Sequence, residues 1–205
     1  MKKSNFIIKL MSILVLSLVL LGCGGTTRTV DRISSDEVRD LSGKWNDTDS
    51  KLVAEQMIKD MLMRPWLSDY MLEESKKPVL IVGNIRNKSS EHIDSEIFTK
   101  DIERELINSG KVKFVAASKV RKDVIEERYY QQTHASDATA KSLANEIGAD
   151  FILLGSIKST TDSIDGKAVI FYQVDLELVN IETNEKVWIG SKEIKKYISQ
   201  KNLKW

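Results

Sequence analysis

The chain has 205 residues, 31 basic and 30 acidic, with 41% apolar residues, two histidines and one cysteine. That is room for one domain, or one domain plus a tail, with enough apolar material for a single core. A formal charge of +1 gives no overall attraction to nucleic acid or to anionic lipid, and one cysteine excludes a disulfide within the chain.

Residues 1–22 have the three-part layout of a secretory signal. Lys2, Lys3 and Lys9 lead into an apolar run from Leu10 to Leu21, broken only by Ser12 and Ser17, and Gly22 and Cys23 close it. The run is shorter than the roughly 20 residues that span a bilayer. Leu20-Leu21-Gly22-Cys23 resembles the lipobox of bacterial lipoproteins, which implies cleavage before Cys23 and acylation of its thiol by palmitate-type chains. Cleavage removes three lysines and leaves 28 basic against 30 acidic residues, a formal charge of −2.

Residues 23–40 read as a lipidated flexible tether, rich in Gly, Thr, Ser and alternating charge. Fully extended, it reaches on the order of 60 Å. Aspartate just after the lipidated cysteine holds enterobacterial lipoproteins at the inner membrane. Gly24 and Gly25 therefore point to the outer membrane, facing the periplasm.

The globular domain is expected over residues 41–205. Helix N-cap residues cluster at Asn46 to Ser50, and Leu52, Val53, Met57, Ile58, Met61 and Leu62 recur at helical spacing until Pro65 breaks the pattern. Trp45 is expected to pack back on this helix. Val79 to Val82 is a short apolar run, expected of a strand buried on both faces, and Gly83 to Ser90 reads as a polar loop. Asp94 caps a helix carrying Ile97, Phe98, Ile102, Leu106 and Ile107, ended by Ser109-Gly110, and Lys111 to Val115 is the next strand. This strand–helix–strand unit predicts a right-handed parallel crossover.

Ser118 and Ser136 open two further helices. A strand from Asp150 to Ser159 follows, then the hairpin signal Asp165-Gly166. Even-numbered apolar residues from Ala168 to Leu178 alternate with Gln173, Asp175 and Glu177. After a turn at Glu182 to Glu185, the last strand, Lys186 to Ile198, places Trp188, Ile194 and Ile198 on one face among lysines that suit an exposed edge. The fold class is α/β: a single mixed sheet of about five strands with helices packed on it, a strand–helix–strand first half and an antiparallel three-strand meander at the C-terminus.

Catalytic signatures are missing. His92 and His134 have no second ligand at metal spacing, and no phosphate loop, nucleophile elbow or dinucleotide fingerprint occurs. No cofactor and no enzymatic activity are expected. Ligands of open α/β sheets gather beyond the carboxyl ends of the strands. That makes Asn84, Arg86, Asn87 and Lys88 candidate partner contacts, with Tyr129 and Tyr130 as candidate aromatic anchors.

Several blocks resemble one family. Asp40–Ser50, Ile81–Ile93, Gly148–Phe151, Phe171–Leu178 and Thr183–Trp188 are similar to the LpoB-type lipoproteins, over nearly all of residues 40–198. The resemblance implies a non-catalytic outer-membrane lipoprotein. Its monomeric globular domain, similar to the TolB N-terminal domain and to CsgG, would bind and activate a bifunctional, class A penicillin-binding protein in cell-wall synthesis. The alternative it leaves open is a CsgG-like structural or assembly lipoprotein with no synthase partner.

Overall fold

A computed structural model describes residues 28–35, 37–115 and 148–199. The chain divides into two units, residues 1–37 and 38–205. The described residues of the first are exposed and form no helix or strand.

In the second unit, α1 spans Asp47–Met61. Its N-cap is Asn46, whose side chain accepts from the Asp49 amide at 3.1 Å while the Asp49 carboxylate accepts from the Asn46 amide at 3.0 Å. This reciprocal capping box satisfies two amides that the first turn leaves without helical partners. Val53, Ala54, Met57, Ile58 and Met61 form the buried stripe, while Leu52 faces out. Pro65 does more than end this helix: it opens a second, α2, over Pro65–Glu74. Its missing N–H costs nothing at a first helical position.

Strand β1 runs Val79–Asn87. Helix α3 is Ser95–Asn108, capped by Asp94, which accepts from the Glu96 amide at 2.9 Å. Phe98, Ile102 and Leu106 point inward; Ile97 and Ile107, expected on the same stripe, are exposed. Strand β2 is only Lys113–Phe114, shorter than predicted, and lies parallel to β1. Three long strands follow: β3 Phe151–Ile164, β4 Lys167–Asn180 and β5 Lys186–Ser199. Asp165 and Gly166 both take positive φ in the β3–β4 turn, the backbone hand that a two-residue hairpin requires.

The sheet order is β2-β1-β3-β4-β5, parallel for β1 with β2 and β3, antiparallel through β3, β4 and β5. This mixed five-strand sheet with packed helices is the expected architecture. The helices predicted from Ser118 and Ser136 lie outside the described residues. Phe151, Leu153, Ile157, Ile170, Tyr172, Val174, Leu176, Leu178 and Trp188 meet the apolar stripes of α1 and α3 in one core. Trp66 and Tyr70 of α2 stack edge-on against Phe151, each with ring centroids 5.2 Å away.

Candidate functional site

The predicted loop at Gly83–Asn87 is strand. β1 continues past Val82 because β3 pairs with it from Leu80 to Asn87, through a register shift between Val82 and Ile85. Gly83 permits the irregularity: a Cβ there would lie 2.7 Å from the Leu154 side chain and 2.9 Å from that of Ile152. Beyond the shift Ile85 is buried in the core, and Asn84 and Arg86 are exposed. Lys88 follows directly, its amide bonded to the Ile157 carbonyl at 2.7 Å.

Three predicted contact residues thus meet in one place. Asn84, Arg86 and Lys88 line a groove of about 270 Å³ with Ser156, Asp175 and Glu177. Gly155 keeps its floor low, since a side chain there would strike Leu176 and the Asp175 carbonyl. The acids in the groove are matched. Asp175 accepts from Lys158 and Gln173, each at 2.8 Å, and Glu177 pairs with Lys186 at 2.6 Å. Burial pushes the Asp175 carboxyl up, but the bonds from Lys158, Gln173 and Ser191 outweigh it and hold it below the usual range. Arg86 and Lys88 form no ion pair among the described residues, so the groove keeps a positive excess. That charge suits an acidic patch on a partner surface.

Asn87, grouped with these by sequence, has a different task. Its amide donates to the carbonyls of Glu91 at 2.8 Å and Ile93 at 3.4 Å, and its Oδ1 accepts from the Ser89 amide at 2.9 Å. These bonds hold the 88–93 turn, and Asn87 does not line the groove. Tyr129 and Tyr130, like Cys23 and His134, lie outside the described residues; His92 is exposed.

A polar network that sequence reading missed fastens this turn to the core. The Tyr172 hydroxyl, fully buried, donates to Glu91 Oε1 at 2.7 Å, and Glu91 Oε2 accepts from the Trp45 amide at 3.3 Å. The Trp45 ring packs edge-on against Tyr172 and Phe98, with centroids 5.5 and 6.1 Å away, and donates to Ser50 Oγ at 2.8 Å. Burial first, then the Glu91 carboxylate, raise the Tyr172 phenol well above its ordinary value. Beside this lies Lys196, taken from the sequence as an edge lysine. It is buried, with Nζ 2.6 Å from Asp49, 2.9 Å from Asp40 and 3.0 Å from the Lys44 carbonyl. Strand parity gives the face of β5 it occupies but not the acceptors that let a charge stay buried there. Lys196 falls between Ile194 and Ile198, on the same face as Trp188.

Among the described residues no cluster of His, Cys, Asp and Glu is placed to hold a metal ion, and no helix is long and apolar enough to cross a membrane. The molecule is a small α/β domain with helices on a mixed sheet and a charged groove where β1, β3 and β4 lie side by side. The chain belongs to the LpoB family: the family model described as peptidoglycan-synthase activator LpoB matches residues 49–194. Among solved structures, the LpoB C-terminal domain from Salmonella enterica is 18% identical, with 64% of this chain and 94% of that one covered and a TM-score of 0.35. The LpoB C-terminal domain from Escherichia coli is 19% identical, with coverage of 67% and 96% and a TM-score of 0.35. Lipoprotein GNA1162 from Neisseria meningitidis is 17% identical, with coverage of 62% and 88% and a TM-score of 0.39. No curated protein matches the chain.

Proposed function

We propose that this protein is a non-catalytic lipoprotein, anchored in the outer membrane through Cys23, whose domain binds a class A penicillin-binding protein and activates its peptidoglycan synthesis. Membership of the LpoB family over residues 49–194 is the observation that carries this reading. The groove between β1, β3 and β4 supplies the docking surface. Arg86 and Lys88 meet acidic residues of the synthase, and Asn84 adds a neutral hydrogen-bonding group. The Tyr172–Glu91 bond and the Asn87 turn keep Lys88 in place, which lowers the ordering cost of binding.

The test is reconstitution in detergent. The acylated protein, added to a purified class A synthase, should raise glycan polymerisation and should recover that synthase from solubilised envelopes. Recovery of no synthase together with an unchanged polymerisation rate overturns the proposal.

A further inference from the structure

The helical layer carries a second hollow that the groove on the sheet does not explain. It lies between the α1–α2 turn and the turn after α3, and encloses about 600 Å³. Leu67, Met63 and Met71 supply apolar wall, and Arg64, Lys77 and Lys111 supply charge; no carboxylate lines it among the described residues. Met63 is 64% exposed and Met71 43%, side chains that the core leaves in water. An adjoining hollow of about 510 Å³ shares Met63 and Lys111 and carries Glu55 and Glu105 among its lining residues. Positive charge is therefore concentrated over the methionine-lined part.

We infer that this hollow binds an anionic phospholipid, its headgroup phosphate among Arg64, Lys77 and Lys111 and the start of its acyl chains against Met63 and Met71. The domain would then rest on the bilayer that holds its anchor, so the inference depends on acylation at Cys23. Charge complementarity is the first argument. Arg64 is ion-paired with Asp60, whereas Lys77 and Lys111 form no ion pair among the described residues. The chain as a whole is near neutral, but charges are felt over only about 8 Å at physiological salt, so these two lysines act locally whatever the net charge. The second argument is the chemistry of the wall: thioether side chains adapt to an acyl chain of no fixed shape. The third is reach. Residues 24–40 extend on the order of 60 Å at most, so the domain stays near the membrane and a weak contact is occupied through its high effective concentration.

The experiment uses residues 38–205, which contain the whole core described above, and phosphatidylcholine vesicles with or without phosphatidylglycerol, at the roughly millimolar lipid that stands in for the effective concentration supplied by a short anchored tether. Co-sedimentation should occur only with phosphatidylglycerol and should fall with added salt. Lys77→Ala with Lys111→Ala should lower partitioning about 25-fold, taking about fivefold per basic residue at a membrane surface. Met63→Ser with Met71→Ser should weaken it as well. Lys192→Ala with Lys195→Ala, which removes two cations from β5, should leave it unchanged. Equal binding to pure phosphatidylcholine, retained binding by both hollow variants, or an equal loss in the β5 variant overturns the inference. The synthase assay in detergent contains no vesicles and no phosphatidylglycerol, so the two proposals fail separately.

Discussion

Lys196 Nζ lies 2.6 Å from Asp49 Oδ2, joining the last strand to the first turn of α1 across 147 residues of sequence. The two side chains are only 9% and 10% exposed. Asp49 also serves the capping box, so one carboxylate holds a helix start and a strand together. Removing Lys196 leaves the buried Asp49 carboxylate with its capping-box amide but without a counter-charge. Lys196→Met should therefore cost roughly 3–5 kcal/mol, and Lys196→Met with Asp49→Asn should recover part of that loss. Urea unfolding of the two variants measures both.

The same region sets the behaviour in alkali. Burial alone would lower the Lys196 pKa, but its hydrogen bonds to Asp49 and Asp40 prevail and raise it. A folded pKa above the unfolded one, about 10.4 for lysine, means that the unfolded state releases its proton first as pH rises. The contribution is complete below the unfolded pKa and is lost as pH climbs through the folded one. The Tyr172 phenol, raised chiefly by burial, acts in the same direction from about pH 10 upward. Stability should thus decline above about pH 10, and the decline should be shallower in Lys196→Met and in Tyr172→Phe. Thermal melts across pH 8 to about pH 11 check this.

Tyr172→Phe also has a local consequence. It removes a hydrogen bond to a carboxylate, which is worth about 1.5–3 kcal/mol. The Glu91 carboxylate then retains the Trp45 amide at 3.3 Å as its remaining bonded neighbour in this network. Amide exchange in Ser89 to Ile93 should accelerate more than exchange in α3, because the turn loses its fastening while the helix keeps its core.

Two glycines should separate in their tolerance of alanine. At Gly155 the new Cβ would stand 2.6 Å from the backbone carbonyl of Asp175, which cannot move without shifting β4. At Gly83 the nearest atoms are the ends of the Leu154 and Ile152 side chains, which can rotate away. Gly155→Ala should cost about 1–3 kcal/mol and Gly83→Ala less, as read by chemical unfolding.

For the proposed docking groove, Arg86→Glu with Lys88→Glu should change stability by no more than about 0.5 kcal/mol, since both side chains are exposed. Stimulation of the synthase should fall at least tenfold, because like charges then face an acidic partner surface. Lys158→Ala is the useful companion. It frees Asp175 and should weaken stimulation by diluting the positive excess, with the effect shrinking as salt is added.

Local chemistry made most of the architecture legible before any coordinates. Asp94 before an apolar stripe, Asp165-Gly166 between alternating runs and the even-numbered apolar residues of β4 each state their element within a few residues. Capping, turn geometry and side-chain alternation act between near neighbours, so sequence alone determines them. Three features were decided only in the folded molecule. Gly83–Asn87 is polar and reads as loop, yet pairing with β3, some 70 positions later, holds it as strand, since a main-chain ladder is indifferent to side-chain polarity. Asn87, though exposed, has its amide engaged by the carbonyls of Glu91 and Ile93 in the turn that follows. Lys196 is buried because Asp40, Lys44 and Asp49 converge on its face of β5. In each case the deciding partner is distant in the chain or set by a fold-dependent turn, and only the tertiary structure brings it within a hydrogen bond's length.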